Sequence, residues 1–186
     1  MNKEDKNRVC PVEASGGLDN SIRKFIQNPY KIVSPYISKD MTVLDFGCGP
    51  GFFSVEIAKL LSGSGKVIAA DLQDGMLAKV RNKIKGTMLE QKIQLHKCEQ
   101  DKIGVTEMVD FILAFYVIHE VPEKKKLFEQ FKSILKPGGK ILIIEPNFHV
   151  TKKSFAEMIT TIESVGLKII DTPKRLLSRC VVVGKI

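Results

Sequence analysis

Residues Val43 to Gly51 read V-L-D-F-G-C-G-P-G, an apolar stretch that ends in a carboxylate, Asp45, and then breaks into glycines at every second position: Gly47, Gly49 and Gly51. Glycine is required where the backbone must take φ > 0 or where a ligand touches the main chain with no Cβ between. A helix predicted to start near Phe52 would turn its free N–H groups toward that ligand. The string therefore describes a nucleotide-type binding turn. A second acid, Asp71, closes the next apolar stretch, V-I-A-A-D. Further along, Tyr116, His119, Glu120, Glu145 and His149 supply side chains able to move a proton. Histidine is the apt one, because it titrates near neutral pH. The same His and Glu residues could instead converge on a metal, although their spacing is not that of a recognised site.

Something must hold these groups together, and from Met41 onward the pattern alternates strand and helix. Strands are predicted at Thr42–Phe46, Lys66–Ala70, Lys92–His96, Asp110–Ala114 and Lys140–Glu145, with two more at Leu167–Ile170 and Arg179–Val183. The helices between them show apolar faces: Phe53, Ile57, Leu60 and Leu61; then Met76, Leu77, Val80 and Ile84; then Leu127, Phe128, Phe131, Ile134 and Leu135, stopped by Pro137-Gly138-Gly139. A last helix is predicted from Ser154, with Ser154 and Glu157 as a capping box, to Gly166. Such alternation predicts an α/β chain with a doubly wound, mostly parallel sheet of seven strands covered by helices on both faces. Ahead of it, residues 1 to about 17 read as a flexible arm. A helix follows from about Asn20 to Gln27, stopped by Asn28-Pro29, and a short helical piece carries Ile32, Val33, Tyr36 and Ile37. The expected division is an N-terminal helical arm or lid over residues 1–40 and one domain over 41–186.

Composition narrows the class. The chain has 186 residues, 44% of them hydrophobic, enough for one core. Its longest apolar run, Phe111 to Ile118, is too short to span a bilayer, and the polar N-terminus lacks the apolar centre of a signal peptide. The expectation is a soluble, cytoplasmic protein. Cys10, Cys48, Cys98 and Cys180 are widely spaced, without a C-x-x-C pair, and read as free thiols. The net charge of +8 is spread over lysines along the helices rather than gathered in one arginine stripe, so nucleic acid is possible as a partner but not favoured.

The glycine spacing discriminates between ligands. A dinucleotide site wants G-x-G-x-x-G, whereas here the spacing is G-x-G-x-G and Phe52 stands where the third dinucleotide glycine belongs. No Lys-Ser or Lys-Thr follows the glycines, as a phosphate-binding P-loop requires. Asp45 beside the turn would repel a pyrophosphate and suits a cationic head. Together with A-A-D-L at the end of the second strand and L-K-P-G-G-K-I-L-I-I-E-P at Leu135–Pro146, the string resembles the motifs of class I S-adenosylmethionine-dependent methyltransferases. The resemblance covers about Met41 to Pro146. Within that class the chain looks closest to the small-molecule group that includes ubiquinone/menaquinone C-methyltransferases.

The resemblance implies a Rossmann-like fold, S-adenosylmethionine as cofactor and S-adenosylhomocysteine as product. It implies that Asp71 binds both ribose hydroxyls and Leu72 packs on adenine. Cys98 stands where the family often has a small or acidic residue, so the adenine amino contact passes to Glu99 or to backbone groups. Asp45, Gly47 through its carbonyl, and Ala114 or Phe115 match the positions around the methionine ammonium; Cys48, Gly49 and Gly51 complete the turn. Acceptors should enter over the ends of strands four and five. His119 is the preferred general base there, with Tyr116 and Glu145 as further catalytic candidates, and no resident metal is expected. Cys10, Tyr30 and Tyr36 could border the pocket. The D/N-P-P-Y/F phrase of enzymes that methylate nucleobase amines is missing, since the fourth strand ends A-F-Y-V. The expected activity is methyl transfer to a small molecule. Two alternatives stay open, a methyltransferase acting on RNA or protein and a non-catalytic binder of the same cofactor.

Overall fold

Strands whose alternate side chains are all apolar must be covered on both faces, and here they are. The structure is a computed structural model and describes residues 27–185. Its sheet has seven strands in the order β3-β2-β1-β4-β5-β7-β6. β1 (Thr42–Phe46), β2 (Lys66–Asp71), β3 (Ile93–Lys97), β4 (Val109–Phe115) and β5 (Leu135–Pro146) pair in parallel. β7 (Ser178–Gly184) runs antiparallel to β5 and to the edge strand β6 (Lys168–Asp171).

On one face, Val43, Val67, Phe111, Leu113, Leu142 and Ile144 pack beneath α1 (Pro29–Val33), α2 (Phe52–Leu60) and α3 (Asp74–Ile84), which contribute Val33, Phe53, Ile57 and Val80. On the other, Leu44, Ile68, Ile112, Ile141 and Ile143 pack against Phe128 and Phe131 of α4 (Lys124–Ile134) and Ile162 of α5 (Lys152–Ser164). The period of two along each strand thus divides the core into two layers. The fold is the Rossmann-like, doubly wound one expected.

The chain leaves β1 toward β2 and β3, then returns to place β4 on the other side of β1. That reversal opens a crevice above the C-terminal ends of β1 and β4. The opposite end is fastened by Asp110, which accepts the Thr42 N–H at 2.8 Å and pairs with Lys136 at 2.8 Å.

Several boundaries differ from expectation for local reasons. β5 begins at Leu135, five residues early, because Leu135 already pairs with Val109; the chain then loops out and re-enters at Lys140, opposite Phe111. Pro137-Gly138-Gly139 is therefore an irregularity inside the strand, with Gly138 at φ +75°, and Leu135 belongs to the strand and not to the helix face. α5 starts at Lys152, capped by Thr151, whose Oγ1 accepts the Ser154 N–H at 3.1 Å; Ser154 sits inside the helix and not at its cap. Asn28-Pro29 starts α1 rather than only stopping an earlier helix, for the Asn28 side chain accepts the Lys31 N–H at 3.1 Å. The arm over residues 1–17, most of the helix near residues 20–27, and Cys10 lie outside the described residues.

Candidate active site

β1 delivers Asp45 to its end with the carboxyl 2% exposed. Ser54, in the first turn of α2, donates its hydroxyl to Asp45 Oδ2 at 2.5 Å. Nothing in the sequence pattern singled out Ser54. The turn between them crosses close to the neighbouring strand end: a Cβ on Gly47 would overlap the Val117 side chain, and Gly47 has φ +69°. Gly49, at φ +53°, faces open space instead. Its N–H donates to Asp71 Oδ2 at 2.9 Å, while Asp71 Oδ1 accepts the Gln73 N–H at 2.8 Å. The acid that ends β2 is thereby locked against the turn that follows β1.

Two acids held this way lie out of water. Burial pushes the Asp45 pKa up to about 7, aided by the charge of Asp71 and opposed by the Ser54 hydrogen bond. Asp71 is also raised, again by burial, against the backbone N–H bonds of Gln73 and Gly49 and the charge of Lys97. Cys48 and Cys98 are buried in the same wall, and burial raises both thiols, Cys98 to about 12, so neither is a reactive thiolate.

The second wall comes from the ends of β4 and β5. Tyr116 turns the chain out of β4 in the left-handed region, φ 57°, a conformation costly for a non-glycine residue. It is held there by its N–H to Ile144 O at 2.8 Å, and by its hydroxyl, which is 2.6 Å from Ser178 Oγ and accepts from Gln27 Nε2 at 2.8 Å. A 3₁₀ turn follows at Ile118–Glu120. Glu145, at the end of β5 and 0% exposed, accepts the Ile118 N–H through Oε1 at 3.0 Å, and its Oε2 lies in hydrogen-bond contact with His119 Nδ1 at 2.6 Å. The His119 ring stacks on His149, centroids 5.5 Å apart and planes 12° from parallel. Burial lowers the His119 pKa, but the hydrogen bond and charge of Glu145 and the charge of Glu120 outweigh it, and the net direction is upward.

One cavity of about 330 Å³ joins the two walls. Asp45, Gly47, Cys48, Gly49, Asp71, Leu72, Cys98, Glu99, Phe115, Tyr116 and His119 all line it. Three expected residues do not. Gly51 caps α2, with its Cβ direction 3.1 Å from Val80; Ala114 is fully buried in the strand; and Glu145 lies beneath His119. Tyr30 and Tyr36 are not on the wall either: Tyr30 is exposed, and Tyr36 stacks on Phe111 at 5.6 Å. Residues the sequence reading passed over complete the lining, among them Phe46, Met76, Val117, Pro122 and Phe148. Among the described residues no lysine or arginine reaches the cavity, and no group of three or more His, Cys, Asp or Glu side chains is placed to hold a metal.

Comparison with known proteins then decides the family. A model of the methyltransferase domain matches residues 37–177. The chain belongs to the methyltransferase-domain family. This methyltransferase domain is 31% identical over 103 residues to the demethylmenaquinone methyltransferase of Lactobacillus johnsonii, 55% of this chain and 42% of that one. It is 27% identical over 110 residues to the ubiquinone/menaquinone biosynthesis C-methyltransferase of Salmonella arizonae, 59% of this chain and 44% of that one. The methyltransferase domain thus spans less than half the length of these curated relatives. The structure of an S-adenosylmethionine-dependent methyltransferase from Aquifex aeolicus superposes with a TM-score of 0.82 at 26% identity, covering 94% of this chain and 97% of that one. The class I resemblance read from the motifs is borne out.

Proposed function

We propose that the chain is an S-adenosylmethionine-dependent methyltransferase that acts on a small molecule and releases S-adenosylhomocysteine. The observation that carries this reading is the charge of the cavity: Asp45, Asp71, Glu99 and Glu120 line it, with no lysine or arginine among the described residues. A wall of that kind repels phosphates and attracts a cation. When bound, the cofactor supplies a methyl group activated by a cationic sulfur.

Each residue then has a role. Asp71 takes both ribose hydroxyls with the lone pairs its two backbone bonds leave over. Leu72 packs on adenine, and Glu99 or nearby backbone takes the adenine edge beside Cys98. Asp45 and the Gly47 carbonyl face the ammonium, with Phe115 beside them. Phe53, Phe115, Tyr116 and Phe148 form an apolar side where an acceptor is aligned and water excluded. His119 removes a proton from the acceptor.

The names of the curated relatives support a small, quinone-like acceptor. Among the described residues no lysine or arginine lines the cavity, which weighs against RNA as the molecule entering it. No helix among the described residues is long and apolar enough to cross a membrane, and the proposed location is the cytoplasm. Calorimetric titration tests the reading: S-adenosylmethionine and S-adenosylhomocysteine should bind in competition and NAD should not. Tight NAD binding with no response to S-adenosylmethionine would overturn it.

A further inference from the structure

Glu145 is the most deeply buried acid among the described residues of the site. It is a carboxylate at 0% exposure on a strand whose preceding residues, Leu142, Ile143 and Ile144, are all apolar and buried. A buried charge is costly unless it is paired and hydrogen-bonded. Its cross-strand neighbour could have neutralised it, for Glu145 lies opposite Arg179 in the β5–β7 register. Arg179 instead donates its Nε to Val150 O at 3.0 Å. The two Glu145 oxygens go to the two halves of one short element: Oε1 to the Ile118 N–H, Oε2 to the His119 ring. An apolar residue here would fill the core at less cost, so the carboxylate is explained by what it does to the 3₁₀ turn and the imidazole above it.

We infer that Glu145 is a positioning residue that holds His119 with its proton on Nδ1, leaving Nε2 as the ring atom that receives the acceptor's proton. The inference rests on the proposed methyl transfer. A carboxylate only accepts, so the nitrogen facing it must donate. His119 reaches the cavity wall, and Nε2 is the ring nitrogen left over. In the transfer, the acceptor's X–H bond breaks with its electron pair kept on X and the proton moving to Nε2. The X–C bond forms as the methyl's C–S bond breaks, its pair returning to sulfur, and the imidazolium later gives the proton to water. Glu145 keeps its hydrogen bond to Nδ1 throughout and stabilises the imidazolium. Other charged or titratable groups face the same ring, namely Glu120 on the 3₁₀ turn, Lys124 at the start of α4, and His149 from the loop after β5. Among the described residues only Glu145 is in hydrogen-bond contact with it.

The test is nitrogen-15 and proton NMR of the full chain, with His119 assigned by comparison with His119→Ala. Above its pKa, wild-type His119 should be the Nδ1–H tautomer with an unprotonated Nε2. In Glu145→Gln its pKa should fall and the Nε2–H tautomer should become populated. The acidic limb of the kcat profile should move to lower pH with kcat about 10- to 100-fold lower, while KM for S-adenosylmethionine changes little. A merely structural Glu145 would leave the titration and the pH profile where they were, and that result overturns the inference. So does an Nε2–H tautomer in the wild type, a measurement that needs no variant to fold. Absence of cofactor binding would instead count against the proposed function, because the tautomer is read without cofactor.

Discussion

Gly49 and Asp71 are joined by a hydrogen bond of 2.9 Å, from the glycine N–H to the carboxylate Oδ2. The bond ties the ends of β1 and β2 together across the mouth of the crevice. Asp71 is therefore a brace for the glycine turn as well as the proposed sugar contact, and its removal acts twice. Asp71→Ala should weaken S-adenosylmethionine binding by about 100-fold or more, the equivalent of two hydrogen bonds to a charged group at about 1.5 kcal/mol each. Titration calorimetry reads it directly. Asp71→Asn should also bind weakly, because the amide can accept only one of the two backbone N–H groups.

Gly47 is the second point where the backbone allows no alternative. It combines φ +69° with a Cβ direction that runs into Val117. Gly47→Ala should cost roughly 1–3 kcal/mol of stability through overpacking and strain, and should displace the wall that carries Val117. Gly47→Ala combined with Val117→Ala should recover part of that loss and not all of it, since the overlap goes and the positive φ stays. Thermal unfolding of the single and double variants separates the two contributions.

Asp45 makes the unliganded protein sensitive to pH in an unusual direction. Its folded pKa is raised from 3.8 to about 7, so between those values the folded state binds more protons than the unfolded state. Stability from this group is then fully present below 3.8 and lost as pH rises through 7, an effect on the order of a few kcal/mol. Denaturant unfolding should show the ligand-free protein gaining stability on acidification from pH 8 to 5, and Asp45→Asn should flatten that slope. A cation bound beside Asp45 favours its carboxylate form, so S-adenosylmethionine binding near pH 7 should release protons. Calorimetry in buffers of different ionisation enthalpy measures that release.

The legible parts of the molecule were those in which one residue type answers one local need. The glycine turn, Asp71 and the strand–helix alternation could be read because positive φ, a strand-terminal acid and apolar periodicity leave marks in the chain itself. Ser54 could not, because its hydrogen bond to Asp45 depends on where the first turn of α2 folds back. Glu145 was noticed for its chemistry, but its burial under His119 follows from the pairing of β5 with β4, which no spacing encodes. The early start of β5 was hidden for a related reason: Pro137-Gly138-Gly139 signals a stop locally, and only the partner strand shows that the ladder has already begun.

His119 gives the sharpest separation of chemistry from binding. Its ring is fixed from below by Glu145 and flanked by His149, and it lies on the β4–β5 wall rather than among the groups proposed for the ribose and adenine. His119→Ala should therefore lower kcat by about 10²- to 10⁴-fold, the range a lost general base produces, while the dissociation constant for S-adenosylmethionine changes by less than about threefold. An acceptor that reaches the site already deprotonated should be spared most of that loss. Raising the assay pH toward the acceptor's own pKa should then narrow the gap between variant and wild type. Turnover equal to wild type at neutral pH would remove His119 from the reaction.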